Sequence, residues 1–479
     1  MTNRSFWRCA QNRKLKKMCL ALSMLVITVC LFVSFARSAD DLPAEAKVLD
    51  PDILFYSDPN PIVAPDGKWI AYISKGFVCV CNIDDPHPRQ LVEVPHSRTH
   101  LLAQPEYADA RDDPRILWQR LGREGMEQFE KSVTQTIVGL QWTREGDAVV
   151  FGLNSFDAEK KELICEVKLA SLKGKITTLA HIRDGGVYTH LGGMSMLSRD
   201  RKFIVLSGYV RPLIWDLTTD KPRATPFMNL TPSTTGDRWL GVEKDTRQLV
   251  VTDASFQIIK RFGNLFPPRR TAQELLWSPD ERYVIWKYQV GFDYYSNWEG
   301  GWIDLQTGEQ ESMTGSYMAE IVRFTGRGGE FMRIGGEGKQ GQMQGLVGTG
   351  FQFQFFTSGN AKPEDVWSVH FDPNDRTIKR EYPDIRFIYF SSDYKSFVFG
   401  LPRPNQPPAG EIFHLMDRAG HLWKLPGKDN GEYFSPYEVV GFADNGKSII
   451  AHDIRRLFAI PISAVMSDAN AVKRSDKLE

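Results

Sequence analysis

Cysteine is scarce in this 479-residue chain: of six in all, Cys9, Cys19 and Cys30 fall in the first 39 residues, leaving Cys79, Cys81 and Cys165 in the body. So small and odd a number in so long a body excludes a disulfide scaffold. Cys79 and Cys81 stand two apart in the strand-like run Phe77 to Asn82, so both side chains point to one face and a bond between them would distort the strand. They read as small buried hydrophobes. Net charge is missing too, with 59 Lys plus Arg against 59 Asp plus Glu. Beyond residue 39 the balance is 52 basic to 59 acidic with no basic patch, which argues against a nucleic-acid partner, because neutralising phosphates needs a basic face. With 42% hydrophobic and 25% charged residues, the chain is neither disordered nor a multi-span membrane protein.

Catalytic signatures are absent as well. There is no HExxH and no GxSxG, and the nine histidines are scattered. His96 and His100 could share a helix face, but Pro95 precedes them and no cysteine is near, so no metal pair is expected. Asp109, Asp112 and Asp113 read as a solvated cap of a following helix rather than a calcium site. The run Gly335, Gly336, Gly338, Gly341, Gly345, Gly348 and Gly350 lacks the spacing of a phosphate loop and reads as flexible chain. No cofactor is expected. Asn229-Leu230-Thr231 matches a glycosylation acceptor, a motif common by chance, and is followed by proline.

The N-terminal segment does carry a signal. Residues 1–39 hold seven basic groups and no acidic one, Met18 to Ala36 is uncharged, and Ala36-Arg37-Ser38-Ala39 offers small residues for a signal peptidase. This predicts export, to the periplasm or the cell exterior, by a cleaved leader or by an anchor retained through Met18 to Ala36. The expected organisation is a leader at 1–39, a body at 40–465 and a polar tail at 466–479.

What the body has in quantity is punctuation: 39 Gly and 27 Pro, with 12% aromatics, a composition of many short strands and turns. One pattern recurs, an Asp/Asn/Gly-rich turn followed by a polar residue and an apolar or alternating run. The copies are PDGKWIAY (Pro65 to Tyr72), REGDAVVF (Arg144 to Phe151), RDRKFIVL (Arg199 to Leu206), TGDRWLGV (Thr235 to Val242), SPDERYVIW (Ser278 to Trp286), RGGEFMRI (Arg327 to Ile334), SDYKSFVF (Ser392 to Phe399) and DNGKSIIA (Asp444 to Ala451). Aligning Asp66, Glu145, Asp200, Gly236, Asp280, Gly328, Asp393 and Asn445 gives intervals of 36 to 79 residues. Each copy reads as a hairpin, and further strands such as Gly301 to Leu305 and Glu411 to Met416 extend it to a four-stranded antiparallel meander. A lone sheet of four strands cannot cover both its faces, so such units stack radially.

The PDG turn with its apolar strand resembles the WD40-like propeller repeats of TolB-type proteins and of the non-catalytic domain of prolyl oligopeptidases and dipeptidyl peptidases. The resemblance implies an all-β, closed β-propeller over roughly Ile53 to Ile462, with eight blades, or seven if the fourth copy is discounted. The hydrolase domain that gives those peptidases their activity has no counterpart here, and too few residues precede the first blade for the α/β domain of TolB itself.

Two expectations concern the ring. Ile53-Leu54-Phe55-Tyr56 is an orphan strand ahead of the first blade and is expected to close the last one. The long segments His96 to Ser132, Asn154 to Lys161, Gln289 to Gly300, Gly335 to Gly350 and Leu401 to Gly410 all fall between second and third strands or between blades, hence on one face, the expected binding face. Within Pro105 to Ser132, the spacing of Ile116, Leu117, Leu121 and Phe129 predicts a short helical cap, started by Asp112-Asp113-Pro114. Candidate ligand-binding residues are Asp293, Tyr294, Tyr295, Trp298 and Glu299, in the densest aromatic cluster, which also holds Phe292: aromatics with carboxylates suit a sugar or a peptide amine, although such residues also pack loops. The expected function is a non-enzymatic platform for a protein or glycan of the cell envelope. The alternative is a propeller enzyme, a lyase or hydrolase with a pocket at the channel mouth and Asp293 and Glu299 as acid and base.

Overall fold

The structure, a computed structural model, describes residues 45–53, 59–107, 114–157, 160, 162–184, 195–198, 200–207, 212–223, 225–233, 235–266, 274–290, 297–316, 321–325, 329–336, 350–357, 364–370, 388–402, 411–425, 438–453 and 455–467. The strands form eight four-stranded antiparallel sheets. Blades 1 to 7 are consecutive meanders over 62–93, 135–184, 195–223, 227–264, 274–316, 321–370 and 388–424, and blade 8 combines 438–461 with an N-terminal strand. The chain is an eight-bladed β-propeller, and the fourth repeat is a full blade.

The middle strands of a blade are apolar at consecutive positions rather than at alternate ones, and the structure shows why. Along Trp69–Ser74, Ile70 and Tyr72 enter the cluster between blades 8 and 1, whereas Ala71 and Ile73 enter the one between blades 1 and 2. Side chains alternate across a strand, and here both sides are covered by a neighbouring blade. Cys79 and Cys81 follow the same rule: both lie on the blade 8 side, buried as free thiols, and burial pushes each up to about 12.

The repeat is a six-residue hairpin closed by two backbone bonds, the first N–H donating to the sixth carbonyl and the fourth N–H to the first carbonyl, as in Ala64 to Trp69, Ser198 to Phe203, Ser278 to Tyr283 and Ser391 to Ser396. Its fourth residue takes positive φ, at Gly67, Gly146, Gly236 and Gly446, but also at Arg201, Glu281 and Tyr394. A hydroxyl at the first position offsets that cost. Ser198 Oγ accepts the Phe203 N–H at 3.0 Å and donates to Asp200 at 2.7 Å; Ser278 accepts from Tyr283 at 2.8 Å, Ser391 from Ser396 at 3.1 Å and Thr143 from Ala148 at 3.1 Å. The geometry corrects the repeat alignment by one residue in the fourth copy, where Thr235, not Gly236, is the equivalent of Asp66; residues 326–328 of the sixth copy lie outside the described residues.

Ring closure is also corrected. The strand that completes blade 8 is Lys47–Asp50, pairing antiparallel with Leu457–Pro461. Ile53 is not in a strand; it is buried, with its N–H donated to Arg455 O at 2.7 Å, and 54–58 lie outside the described residues. The principle of closure by the N-terminus holds, six residues earlier. Leu49 is fully buried, Tyr72 Oη donates to Asp50 Oδ2 at 2.6 Å, and Lys47 Nζ donates to Ile83 O at 2.6 Å, tying blade 8 to blade 1.

Candidate functional site

The two rims of the ring differ. One, the hairpin face, carries the eight stapled turns and the short second hairpins, and is latched from blade to blade. Arg201 reaches Glu145 and Asp147 at 3.2 Å, Arg238 reaches Glu281 at 2.8 Å, Arg418 pairs with Glu330, and Asp444 N–H donates to Gly67 O at 2.9 Å. Trp142 and Trp277 donate their indole N–H groups to the inner strand of the preceding blade, at Ile62 O and Thr231 O.

The buried carboxylates described are structural anions, each held by a cation or a tyrosine rather than by a second carboxyl. Burial alone would raise Glu281, but hydrogen bonds from Thr235 and Arg238 outweigh it and hold the group below the usual carboxylate range. Asp304 is similar: desolvation is opposed by Arg282, at 2.7 and 3.0 Å, and by the N–H groups of Gln306 and Thr307, and the net shift is downward. A general acid needs the opposite shift. No group of three or more His, Cys, Asp or Glu converges as metal ligands among the described residues.

The other rim, the insertion face, carries the second-to-third turns and the blade links. The link 94–134 between blades 1 and 2 is helical: α1 is Arg98–Leu102 and α2 is Pro114–Ser132, broken at Gly122 with φ +63°. Leu102, Leu117 and Phe129 are buried together, with Tyr107, Ile116, Leu121 and Met126 packed against them. Arg98 pairs with Glu130 and lies over the Phe129 ring at 5.8 Å, joining the two helices. The cap is thus packed on the rim, as the spacing predicts; Asp109, Asp112 and Asp113 lie outside the described residues.

The seat of the cap is Gly76. With Lys75 it makes the tight turn of blade 1, both at positive φ, and a Cβ on Gly76 would lie 2.2 Å from His100 Cβ on α1. Gly76→Ala is expected to lift α1 from the turn, costing about 2 kcal/mol, with amide exchange accelerated over 94–134 and unchanged in blades 4 to 6. Uniform exchange would refute this seating.

Among the five candidate residues, Asp293, Tyr294 and Tyr295 lie outside the described residues. Trp298 and Glu299 do not belong to the loop but to the strand Asn297–Asp304, opposite Gln289 and Tyr288. Glu299 is exposed and accepts from Tyr288 Oη. Beneath it Tyr288 stacks on Trp286 at 6.0 Å with Phe266 edge-on at 5.9 Å, so this rim position stands on a rigid aromatic column. The segment 154–161 is likewise corrected: Asn154 to Asp157 continue the strand Ala148–Asp157, which pairs with Glu162–Ser171 through its last residue, so blade 2 is tall there rather than looped. Gly335, Gly336 and Gly350 are strand residues as well. Asn229 sits half-buried in the paired strand Phe227–Pro232.

On the same rim, His452 ends a blade 8 strand opposite Glu438, Nε2 to Oε2 3.7 Å, with Nδ1 3.2 Å from Asp453 O. Burial depresses its basicity, and Glu438 and Asp453 only partly offset this. The fold therefore favours the neutral ring. Below the unfolded-state value, about 6.5, the unfolded chain binds the extra proton, so stability falls as pH drops from there through the depressed folded value. Urea midpoints should decline between about pH 6.5 and 5, and His452→Gln should flatten that limb while leaving the steeper loss that sets in below about pH 4, where the unfolded chain takes up protons that the lowered Asp304, Glu281 and Asp147 of the fold do not yet accept. An unaltered limb in the variant would count against the assignment.

Comparison with known proteins agrees on architecture. No family model and no curated protein matches the chain. Among solved structures, it is similar to Porphyromonas gingivalis dipeptidyl peptidase 4, with a TM-score of 0.50 and 8% identity over 89% of this chain. The match spans 60% of the length of that peptidase. It is also similar to the Dos1 propeller, with a TM-score of 0.47, 11% identity and coverage of 88% and 96%, and to the β-propeller domain of the Trilobed protease from Pyrococcus furiosus, with 0.40, 13%, 72% and 96%. At such identities the likeness is one of fold.

Proposed function

We propose that this chain is an exported, non-enzymatic β-propeller that binds a protein or glycan of the cell envelope through its insertion face. The observation that supports the reading is the asymmetry of the rims: hairpins latched by ion pairs on one, and on the other the cap, the strand-borne Trp298 and Glu299 and the longest connections. A closed ring makes a stiff support, and variation gathered on one rim of a repeat protein is where partners dock. The dipeptidyl peptidase named above is an enzyme, but no GxSxG stands anywhere in these 479 residues to supply that chemistry.

The test is photo-crosslinking in cells from single sites on each rim: Gln119 and Glu299 on the insertion face, Lys202 and Lys395 on the hairpin face. Adducts from the first pair alone are expected, and Tyr294→Ala, Tyr295→Ala and Trp298→Ala together should abolish those at Glu299. Equal adducts from both rims, or none, would defeat the proposal. N-terminal sequencing of the fractionated protein tests export: a start near residue 40 indicates a cleaved leader, a membrane-bound intact N-terminus a retained anchor, and a cytosolic intact chain refutes it.

A further inference from the structure

Cys79, Cys81 and Cys165 are matched in one respect: each is at most 4% exposed, and burial, reinforced by a neighbouring carboxylate, pushes each thiol up to about 12. They differ in what covers them. Cys165 lies on Glu162–Ser171, a strand bonded along most of its length to Ala148–Asp157 on one side and to Ile176–Asp184 on the other. Its side chain packs in the cluster between blades 2 and 3, so reaching it means parting two blades.

Cys79 and Cys81 lie between blades 8 and 1, against the strand that closes the ring. Cys81 Sγ stands 3.5 Å from Leu49 O, and Asp50 is the carboxylate that, after burial, opposes ionisation of both thiols. That strand, Lys47–Asp50, is four residues long, bonds to one neighbour only, and its register slips between Val48 and Asp50. Lys47 and Val48 are exposed, and the ion pair of Asp52 with Lys75 lies at the surface, where such pairs contribute little. Its hold on the ring rests mainly on Leu49 in the cluster and on Asp50 beneath Tyr72 Oη. A short edge held at so few points opens at a fraction of the free energy that unfolds the sheets behind it.

We propose that Lys47–Asp50 is a thiol-sensitive latch: it leaves blade 8 while the rest of the ring stays folded, bares Cys81 and Cys79, and is kept out once either sulfur carries a disulfide-linked group. The oxidant is a small disulfide, RSSR. The bared thiol gives up its proton, its sulfur attacks one sulfur of RSSR, the Cys–S–S–R bond forms as the RS–SR bond breaks, and the released RS⁻ takes up a proton. A free thiol reverses the exchange. Close contact between Cys81 Sγ and Leu49 leaves no room for a substituent on the sulfur while the strand is seated. The inference stands apart from the docking surface proposed above.

In the experiment, the full chain is reduced, exposed to oxidised glutathione below its urea unfolding transition, and followed site by site by peptide mass spectrometry. Cys81 and Cys79 are expected to react at least about tenfold faster than Cys165, and Leu49→Ala to speed them about tenfold more with Cys165 unchanged. Should that variant fail to fold, its Cys165 accelerates too, and the ratio in the parent chain still decides. Amide exchange then reads the latch itself. Protection over 457–460 should fall in the glutathionylated chain, return with dithiothreitol, and stay constant in Cys79→Ala with Cys81→Ala, while blades 4 to 6 keep theirs throughout. One rate for all three thiols, with the urea dependence of global unfolding, would mean that the strand never leaves alone and would overturn the proposal. Undiminished protection over 457–460 in the modified chain, or an equal loss in the double variant, would overturn it as well.

Discussion

Removing residues 45–52 should lower the thermal midpoint by about 10 °C or more at fixed scan rate, whereas removing residues 40–44 should leave it unchanged. The deleted strand is the fourth of blade 8, and its hydrogen-bonded pairing with Leu457–Pro461 joins an early segment of the chain to a late one in a single sheet. Its loss empties the site of Leu49, worth about 2–5 kcal/mol, and strands the buried Tyr72 hydroxyl without Asp50, worth about 1–3 kcal/mol. It also exposes the edge of Leu457–Pro461, an invitation to intermolecular pairing. Tyr72→Phe breaks the same bond from the other side, leaving Asp50 Oδ2 without its donor, and should also cost about 1–3 kcal/mol. A truncated chain that melts like the parent would show that the ring does not depend on this strand.

The second large effect is expected at Gly301. It lies mid-strand in blade 5, paired with Trp286 on one side and Ser312 on the other. A Cβ there would stand 2.2 Å from the carbonyl oxygen of Glu311 and 3.1 Å from the Trp286 ring. The obstacle is backbone of the adjacent strand, which cannot rotate away, so Gly301→Ala should cost about 3 kcal/mol in urea unfolding. Gly263→Ala, in a blade 4 outer strand with open space around it, is the control and should stay within about 0.5 kcal/mol. Equal midpoints for the two variants would mean that blade 5 is looser than its pairing implies.

Much of the blade architecture is legible because it is local. Asp-Gly and Asn-Gly turns announce themselves by composition, and the Ser or Thr two residues ahead of Asp200, Asp280 and Asp393 is a signal that could have anchored the alignment, since that hydroxyl closes the hairpin. Gly236 marks the fourth position of its turn, at positive φ, and not the third that Asp66 holds. The candidate site was legible only as composition. Trp298 and Glu299 turned out to be strand residues because pairing continued past the point where aromatic density suggested a loop.

From its residues alone this chain determines that it is all-β and built of repeated hairpins in a ring of seven or eight blades, since turn preference and two-sided burial are properties of short stretches, and the full pairing of the fourth repeat settles the number at eight. The closing strand was decided by tertiary structure. Ile53 to Tyr56 has the stronger strand character, yet Lys47–Asp50 takes the place, because only there do Leu49 and Asp50 meet the blade 1 cluster and Tyr72 while the link to blade 1 still reaches. Strand propensity is weak beside the fit of a buried side chain to a surface that exists only once the ring has formed. The same reason puts Arg201, Glu281 and Tyr394 in a conformation their side chains disfavour: the hairpin around them is held shut from both sides.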